Sequence, residues 1–135
     1  MPKHVGDGPA DPRVVALGQA IAFLREQRGL SQAQLAAHIG VSQPTLSRFE
    51  RGVGQPDALT MHRLASTLGM SMDELHRRID QALNGAKRAS AATIGNESGA
   101  DWWDSAVAAA GVLAVVGLIG FAIAAVFGGG KSVGK

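Results

Sequence analysis

The sequence contains no cysteine, which excludes disulfide bonds and thiolate metal sites and fits a reducing cytoplasm. Net charge is also low: 13 Lys and Arg against 11 Asp and Glu leave +2, too little to indicate nucleic-acid binding without local clustering. No apolar N-terminal stretch resembles a signal peptide, and residues 1–12, rich in Pro, Gly and Asp, predict a disordered arm. Charged side chains are missing from residues 105–130, so the chain divides into a charged part and an apolar part.

Residue combinations typical of catalysis or metal binding are also missing. His38, His62 and His76 have no ligand-like spacing to one another or to carboxylates, so no metal site is predicted. No Ser, His and acid combination indicates nucleophilic catalysis, and we do not expect an enzyme. Residues 125–132 match a loose phosphate-loop pattern, but no helix-length segment follows them, so no nucleotide or other cofactor is expected.

Helical periodicity and capping signals recur through residues 13–83 and predict five short helices. Gly29 and Gly40 are placed to end helices, because a left-handed backbone costs little for a residue without Cβ. Ser31 and Gln34 form the pattern of a capping box at the start of the second helix. Since caps, turns and apolar spacing agree, we predict a compact all-α domain over these residues.

Residues 32–51 have the pattern of two short helices joined by a turn at Gly40. The second helix presents outward a set of side chains that can hydrogen-bond to DNA bases and phosphates. These side chains are Gln43, Thr45, Ser47, Arg48 and Arg51. Arg48 is suited to guanine O6 and N7, and Gln43 to adenine N6 and N7. The segment therefore predicts a helix-turn-helix that binds DNA.

Short motifs spread over residues 14–80 carry a resemblance to a known family. They are Leu30-Ser31-Gln32, Leu35-Ala36, Gly40-Val41-Ser42, Leu46-Ser47, Phe49-Glu50-Arg51-Gly52, Leu64-Ala65 and Leu68-Gly69. On these motifs the region resembles the phage repressor and Cro type (Xre-like) of helix-turn-helix domain, which has five helices. The resemblance covers about half of the chain and excludes its apolar part.

The resemblance implies base contacts from Gln43, Pro44, Ser47 and Arg48. Many family members carry a polar residue where this chain has Pro44. A proline side chain offers only apolar contact, for example to a thymine methyl group.

The resemblance also implies phosphate contacts from Gln32 and from neighbours in the third helix, here Thr45 and Arg51. It implies a partly buried ion pair between Arg25 and Glu50 that joins the first helix to the third. This pairing agrees with physical expectation, since a lone buried carboxylate is costly.

Beyond this domain, the small and polar residues of 84–100 predict a flexible linker. Residues 106–127 form a run of 22 residues without a charged or polar side chain. As a helix this run would measure about 33 Å, enough to cross a hydrocarbon core of about 30 Å. With two tryptophans directly before it, we predict a single transmembrane helix over residues 101–128 and a short tail at 129–135.

Small residues at four-residue spacing in this run would allow close helix approach in a membrane. The residues predicted at such an interface are Ala106, Ala110, Ala114, Gly120 and Ala124.

The sequence as a whole predicts a five-helix repressor-like domain, a flexible linker and a C-terminal transmembrane helix. We expect a sequence-specific transcriptional regulator that binds double-stranded DNA in the major groove as a homodimer, with membrane lipid as a second partner. It would be a single-pass protein of the bacterial inner membrane with its N-terminal domain in the cytoplasm. Two alternatives stay open: a membrane-anchored cytoskeletal or protein-binding adaptor, and a soluble repressor that oligomerises through its C-terminal helix.

Overall fold

The computed structural model of the chain describes residues 11–94 and 102–128. In these two ranges the protein is all-α, with seven helices and no strand. The helices are α1 (Pro12–Gln27), α2 (Gln32–Ile39), α3 (Gln43–Glu50), α4 (Ala58–Thr67), α5 (Met72–Ile94), α6 (Trp102–Ala110) and α7 (Val112–Gly128). Most of the predicted arm and the whole predicted tail at 129–135 lie outside the described residues.

The turn between α2 and α3 is built by local signals. The Gln34 amide donates to Ser31 Oγ at 3.0 Å and the Ser31 amide donates to Gln34 Oε1 at 2.8 Å, so the predicted capping box forms. Gly40 ends α2 with φ +79°, a left-handed conformation that glycine adopts without strain. Ser42 then caps α3, and its Oγ accepts a hydrogen bond from the Thr45 amide. The angle between the two helices is therefore set by residues of the turn itself.

The apolar core gathers around α1, which packs against α3, α5 and α7. Its largest members are fully shielded from water, and each stabilises the fold by about 1.5–3 kcal/mol. Those members include Ile21, Leu35, Ile39, Leu46, Leu64, Leu68 and Leu75.

Helix α1 crosses close to the C-terminal end of α3 at Gly18. A Cβ at this position would lie 2.8 Å from the Glu50 carbonyl oxygen and closer still to that of Phe49. Because both atoms are backbone, neither can move aside as a flexible side chain would. The two helices can therefore pack this closely only because Gly18 has no side chain.

Helix α5 is longer than expected and runs for 23 residues. Ala86 and Ser90 are buried because α6 and α7 pack against this part of α5. The flexible linker predicted for 84–100 is therefore wrong for residues 84–94, which are helical. Residues 95–101 lie outside the described part of the chain.

The apolar run forms two helices instead of one, because the backbone of Gly111 turns left-handed at φ +93°. Its amide donates to the Val107 carbonyl at 2.8 Å and ends α6. Helix α7 then packs one face on α1 and α5. The buried side chains of this face are Val115, Ile119, Ile123 and Phe127.

Two polar contacts hold α7 in place. The Gln19 side-chain amide of α1 donates to the Val116 carbonyl at 3.1 Å. At the other end of α7, the Arg78 guanidinium lies 5.7 Å from the centre of the Phe127 ring, a cation–π geometry. Helix α7 therefore forms part of the same packed body as the first five helices.

In the part of the chain that the structure describes, no helix is both long and apolar enough to cross a membrane. The predicted transmembrane helix over residues 101–128 and the single-pass inner-membrane localisation are therefore wrong, and the predicted lipid partner finds no support in these helices. The prediction assumed one unbroken helix, whereas the bend at Gly111 leaves a longer piece of 17 residues, about 25 Å.

The small residues predicted to form a transmembrane interface do not share one face. Ala106 is buried in the core, and Gly120 lies against Gln19 of α1, whose Oε1 a Cβ would meet at 2.6 Å. The remaining three, Ala110, Ala114 and Ala124, are exposed. The break at Gly111 places Ala106 and Ala110 on α6 and the other three residues on α7, so the five residues do not form one continuous face.

Candidate nucleic-acid interface

Helix α3 is anchored by its inner face, where Leu46 and Phe49 are buried. Gln43, Pro44 and Arg48 are exposed and Ser47 is half-buried. Gln43 and Ser47, and likewise Pro44 and Arg48, are four residues apart, and Pro44 and Ser47 are three apart, so the four side chains share the outward face of the helix. Helix α3 therefore packs on the core through its buried face and presents a polar surface with one apolar position to solvent.

An ion pair joins α1 to the end of α3. Arg25 Nε donates to Glu50 Oε2 at 2.7 Å and Arg25 Nη2 donates to Oε1 at 3.2 Å, while Nη1 donates to the Leu30 carbonyl at 2.8 Å. Only 12% of the Arg25 side chain and 6% of the Glu50 side chain are exposed. The hydrogen bond to Glu50 raises the pKa of Arg25, so the guanidinium keeps its charge at any physiological pH.

The same carboxylate orients the start of α3 through a second hydrogen bond. Gln32 Nε2, at the first position of α2, donates to Glu50 Oε1 at 2.8 Å. Gln43 Nε2, at the first position of α3, donates to Gln32 Oε1 at 2.6 Å. A continuous chain of hydrogen bonds thus runs from Arg25 to the exposed amide of Gln43. That amide keeps its oxygen and one N–H available.

Arg48 contacts the loop that follows α3, where its Nη2 donates to the Val53 carbonyl at 3.2 Å. A guanidinium has five N–H donors, so this single bond leaves most of them unused. This bond holds the side chain beside α3 and leaves four N–H donors available to another partner.

The three residues predicted to contact phosphate occupy different settings. The side chain of Gln32 is engaged by Glu50 and Gln43, which leaves one side-chain N–H and the backbone N–H in the first turn of α2 as donors. Thr45 is half-buried, and its Oγ1 accepts a hydrogen bond from Ser42 Oγ at 2.8 Å. Arg51 is exposed at the C-cap of α3, at the end of the helix away from Gln43.

The link between Gln32 and Gln43 is the feature that the residue pattern did not predict. The sequence shows that each glutamine is the first residue after a capping serine. It does not show that the two helix starts are neighbours, which follows only from the fold.

A cleft of about 750 Å³ lies away from α3, between the end of α1 and the start of α5. Arg28, Met70, Glu74 and Arg78 are among the residues that line it. Glu74 forms ion pairs with Arg77 and Arg78, so its charge is already matched. Within the described ranges, no group of three His, Asp or Glu side chains is placed to hold a metal ion.

Comparison with known proteins identifies the family of this arrangement. A family model described as Helix-turn-helix matches residues 21–75. The HTH-type transcriptional regulator y4dJ of Sinorhizobium fredii is 38% identical over 71 residues, which are 53% of this chain and 92% of that protein. The chain belongs to the helix-turn-helix family.

Further members show the same extent of similarity. An HTH-type transcriptional regulator of Haemophilus influenzae is 35% identical over 68 residues, 50% of this chain and 69% of the relative. Antitoxin HipB of Escherichia coli is 34% identical over 56 residues, 42% of this chain and 64% of the relative. No solved structure matches the chain.

The family assignment confirms the predicted helix-turn-helix resemblance and the prediction that the chain is not an enzyme. The family match begins within α1 and ends within α5, so α6 and α7 lie outside it. The added transmembrane segment expected beside the resemblance finds no support in the helices described above.

Proposed function

We propose that this helix-turn-helix protein is a repressor-like transcriptional regulator that places α3 in the major groove of a specific DNA sequence, as a homodimer. The observation that carries the proposal is the hydrogen-bond chain from the buried ion pair to Gln43. Such a chain fixes a base-contacting amide before DNA arrives, which lowers the entropy lost on binding. The relatives in Sinorhizobium and Haemophilus are named as HTH-type transcriptional regulators, which supports the regulatory role.

Gln43 is the residue proposed to select adenine. Its free oxygen would accept from adenine N6, and its remaining N–H would donate to N7, the bidentate pattern that distinguishes adenine in the major groove. The bond to Gln32 uses the other N–H and so does not compete with either contact.

Arg48 is proposed to bind guanine O6 and N7 one turn further along α3, through N–H donors that the Val53 carbonyl does not occupy. Ser47 would hydrogen-bond to a base edge, and Pro44 would contact a thymine methyl group. Since Pro44 cannot donate or accept through its side chain, discrimination at its base pair would be weaker than at the adenine and guanine positions.

The proposed phosphate contacts are the backbone N–H of Gln32, the Thr45 hydroxyl and the Arg51 guanidinium. They would fix the position of the domain on the duplex without selecting a sequence. Because they neutralise phosphate charge, binding should weaken as salt concentration rises.

Genome-wide footprinting in cells tests this function. Wild-type protein should protect a defined set of promoter sites, and Arg48→Ala should lose them, because one bidentate contact contributes about 1–3 kcal/mol of discrimination. Arg13→Ala is the matched control, since Arg13 is an exposed arginine at the start of α1, outside α3. An unchanged footprint in Arg48→Ala would show that α3 does not select the sites.

A further inference from the structure

The outward face of α7 carries large apolar side chains that nothing in the described structure covers. Leu113 is 87% exposed and Phe121 is 75% exposed. Gly117 lies between them on the same face, and a Cβ at that position would have no heavy atom within 4 Å. We call this face, from Leu113 through Gly117 to Phe121 and Ala124, the α7 strip.

The α7 strip differs from the scattered exposed side chains of an ordinary surface. Helix α7 has no charged or polar residue at any position, so no polar side chain of this helix borders the exposed apolar face. At a rise of 1.5 Å per residue the strip extends along a helix of about 25 Å. Contiguous exposed apolar surface of this kind marks an interaction site.

No other part of this chain has the composition to cover the strip. The residues outside the described ranges contribute only Met1, Val5 and Val133 as large apolar side chains. These three are separated from one another and belong to segments rich in Gly, Pro, Lys and Ser. These segments therefore do not supply an apolar counterpart for the strip.

We propose that the α7 strip is the interface with a second copy of this chain, packed antiparallel about a two-fold axis at Gly117. The order of side chains is symmetric about this glycine, with Leu113 four residues before it and Phe121 four residues after it. A two-fold interface pairs residue i with j and j with i. Each Phe121 would therefore pack on the partner's Leu113, on both sides of the axis.

Gly117 makes this arrangement sterically favourable. Two helices pack with axes 8–10 Å apart, depending on the side chains at the contact. With glycine opposite glycine, the axes reach the short end of this range, so Leu113 and Phe121 on each side interlock. A charged partner is disfavoured, since the strip offers it no opposite charge.

The size of the strip sets the expected strength. From Leu113 to Ala124 the strip is about 17 Å long, and with a width of about 10 Å it projects roughly 170 Å² per copy, below the ~800 Å² per partner of a standard stable interface. The isolated dimer should therefore be weak, with dissociation in the micromolar range or above, and should be reinforced when two copies bind adjacent half-sites. The use of the dimer on DNA rests on the proposed function, whereas its formation does not.

Disulfide trapping of the full chain in the absence of DNA tests the geometry, because the protein has no native cysteine. Gly117→Cys should form a covalent dimer within minutes of mild oxidation. Leu113→Cys mixed with Phe121→Cys should form the mixed dimer faster than either variant dimerises with itself. Leu59→Cys, at an exposed apolar position on α4, is the control and should stay monomeric.

Sedimentation velocity over a concentration series gives the second measurement. Phe121→Glu should raise the dimer dissociation constant by roughly 100-fold or more, because the buried charge occurs twice in a two-fold interface. Its unfolding midpoint should stay within error of wild type, since this side chain is mostly exposed in the monomer. Leu59→Glu should leave the dimer unchanged.

Three results would overturn the proposal: wild-type protein that stays monomeric at all concentrations, self-trapping of Leu113→Cys faster than mixed trapping, or cosedimentation of monomers with lipid vesicles through Phe121. The two proposals fail separately. A trapped dimer without DNA footprints would refute the regulatory function alone, and DNA footprints from a protein whose dimer survives Phe121→Glu would refute the α7 strip interface alone.

Discussion

Removing Arg25 should destabilise the protein strongly, because it leaves the Glu50 carboxylate buried without its cation. Glu50 accepts three hydrogen bonds, two from Arg25 and one from Gln32. Loss of one partner from a buried ion pair typically costs about 3–5 kcal/mol. Since Gln32 remains as a donor to Glu50, we expect Arg25→Ala to lower the free energy of unfolding by about 3 kcal/mol, the low end of that range.

This loss is large enough to measure without ambiguity. A domain of this size loses roughly 4 °C in Tm for each kcal/mol, so Arg25→Ala should unfold about 12 °C lower. Urea denaturation followed by tryptophan fluorescence is a suitable assay, because Trp102 and Trp103 are both buried and become exposed on unfolding. The urea midpoint should fall while the slope of the transition stays unchanged.

The ion pair between Arg13 and Asp80 provides a matched control. Its N–O distance is also 2.7 Å, but the side chains are 62% and 49% exposed, and the contact does not have the alignment of a hydrogen bond. Arg13→Ala should cost at most about 1 kcal/mol, since water screens an exposed pair. If Arg25→Ala cost no more than Arg13→Ala, the role assigned to the buried pair would be refuted. The double variant Arg25→Met with Glu50→Leu should recover much of the loss.

Three further predictions concern the fold. Gly18→Ala should destabilise by about 1–3 kcal/mol through its clash with the α3 backbone, whereas Gly85→Ala, a helical glycine with room for a Cβ, should be neutral or stabilise by up to about 1 kcal/mol. Urea titration of the two variants checks the difference in sign. Asp57 accepts the amide hydrogen bond that caps α4, which lowers its pKa below the ordinary 3.8. A carboxyl group whose pKa is lowered in the folded state stabilises the fold above the unfolded pKa, and this stability is lost as pH falls through the folded pKa. In Asp57→Asn, the unfolding midpoint should therefore depend less on pH below about pH 4 than it does in wild type. Ile119→Ala should lower the free energy of unfolding by about 2–5 kcal/mol, because Ile119 of α7 is fully buried in the core. A change near zero would show that α7 is not part of the core.

Local signals allowed the first half of the chain to be predicted from its sequence. The capping box at Ser31, the left-handed Gly40 and the cap at Ser42 act over three or four residues, and each forms in the structure. Apolar spacing identified the inner face of α3 for the same reason, since Leu46 and Phe49 are one turn apart. Features that depend on neighbouring residues were predictable.

Features that depend on packing between distant segments were not. Gly111 turns the chain, whereas Gly117 and Gly120 stay helical in the same apolar run, and nothing in the adjacent residues separates them. The extension of α5 likewise depends on Ala86 and Ser90, small residues that are buried only because α6 and α7 cover them. Composition alone therefore predicted a linker and a membrane span.

In the candidate site, the residue types were predictable but their connections were not. The pattern identified Gln43 and Arg48 as outward side chains. It did not predict that Gln32 would join Gln43 to the buried Glu50, since this bond spans 18 residues of sequence. A hydrogen bond of this kind depends on the helix crossing, which sequence spacing does not specify.

Selection of duplexes from random-sequence DNA by wild-type protein and by Gln43→Ala measures whether α3 recognises bases through Gln43. If α3 recognises DNA through the oriented Gln43 amide, wild type should enrich an inverted repeat with half-sites about 34 Å apart, one helical turn. Gln43→Ala should lose the preference for one adenine in each half-site and keep the rest. No enrichment by wild type, or the same sequence enriched by both proteins, would contradict the account.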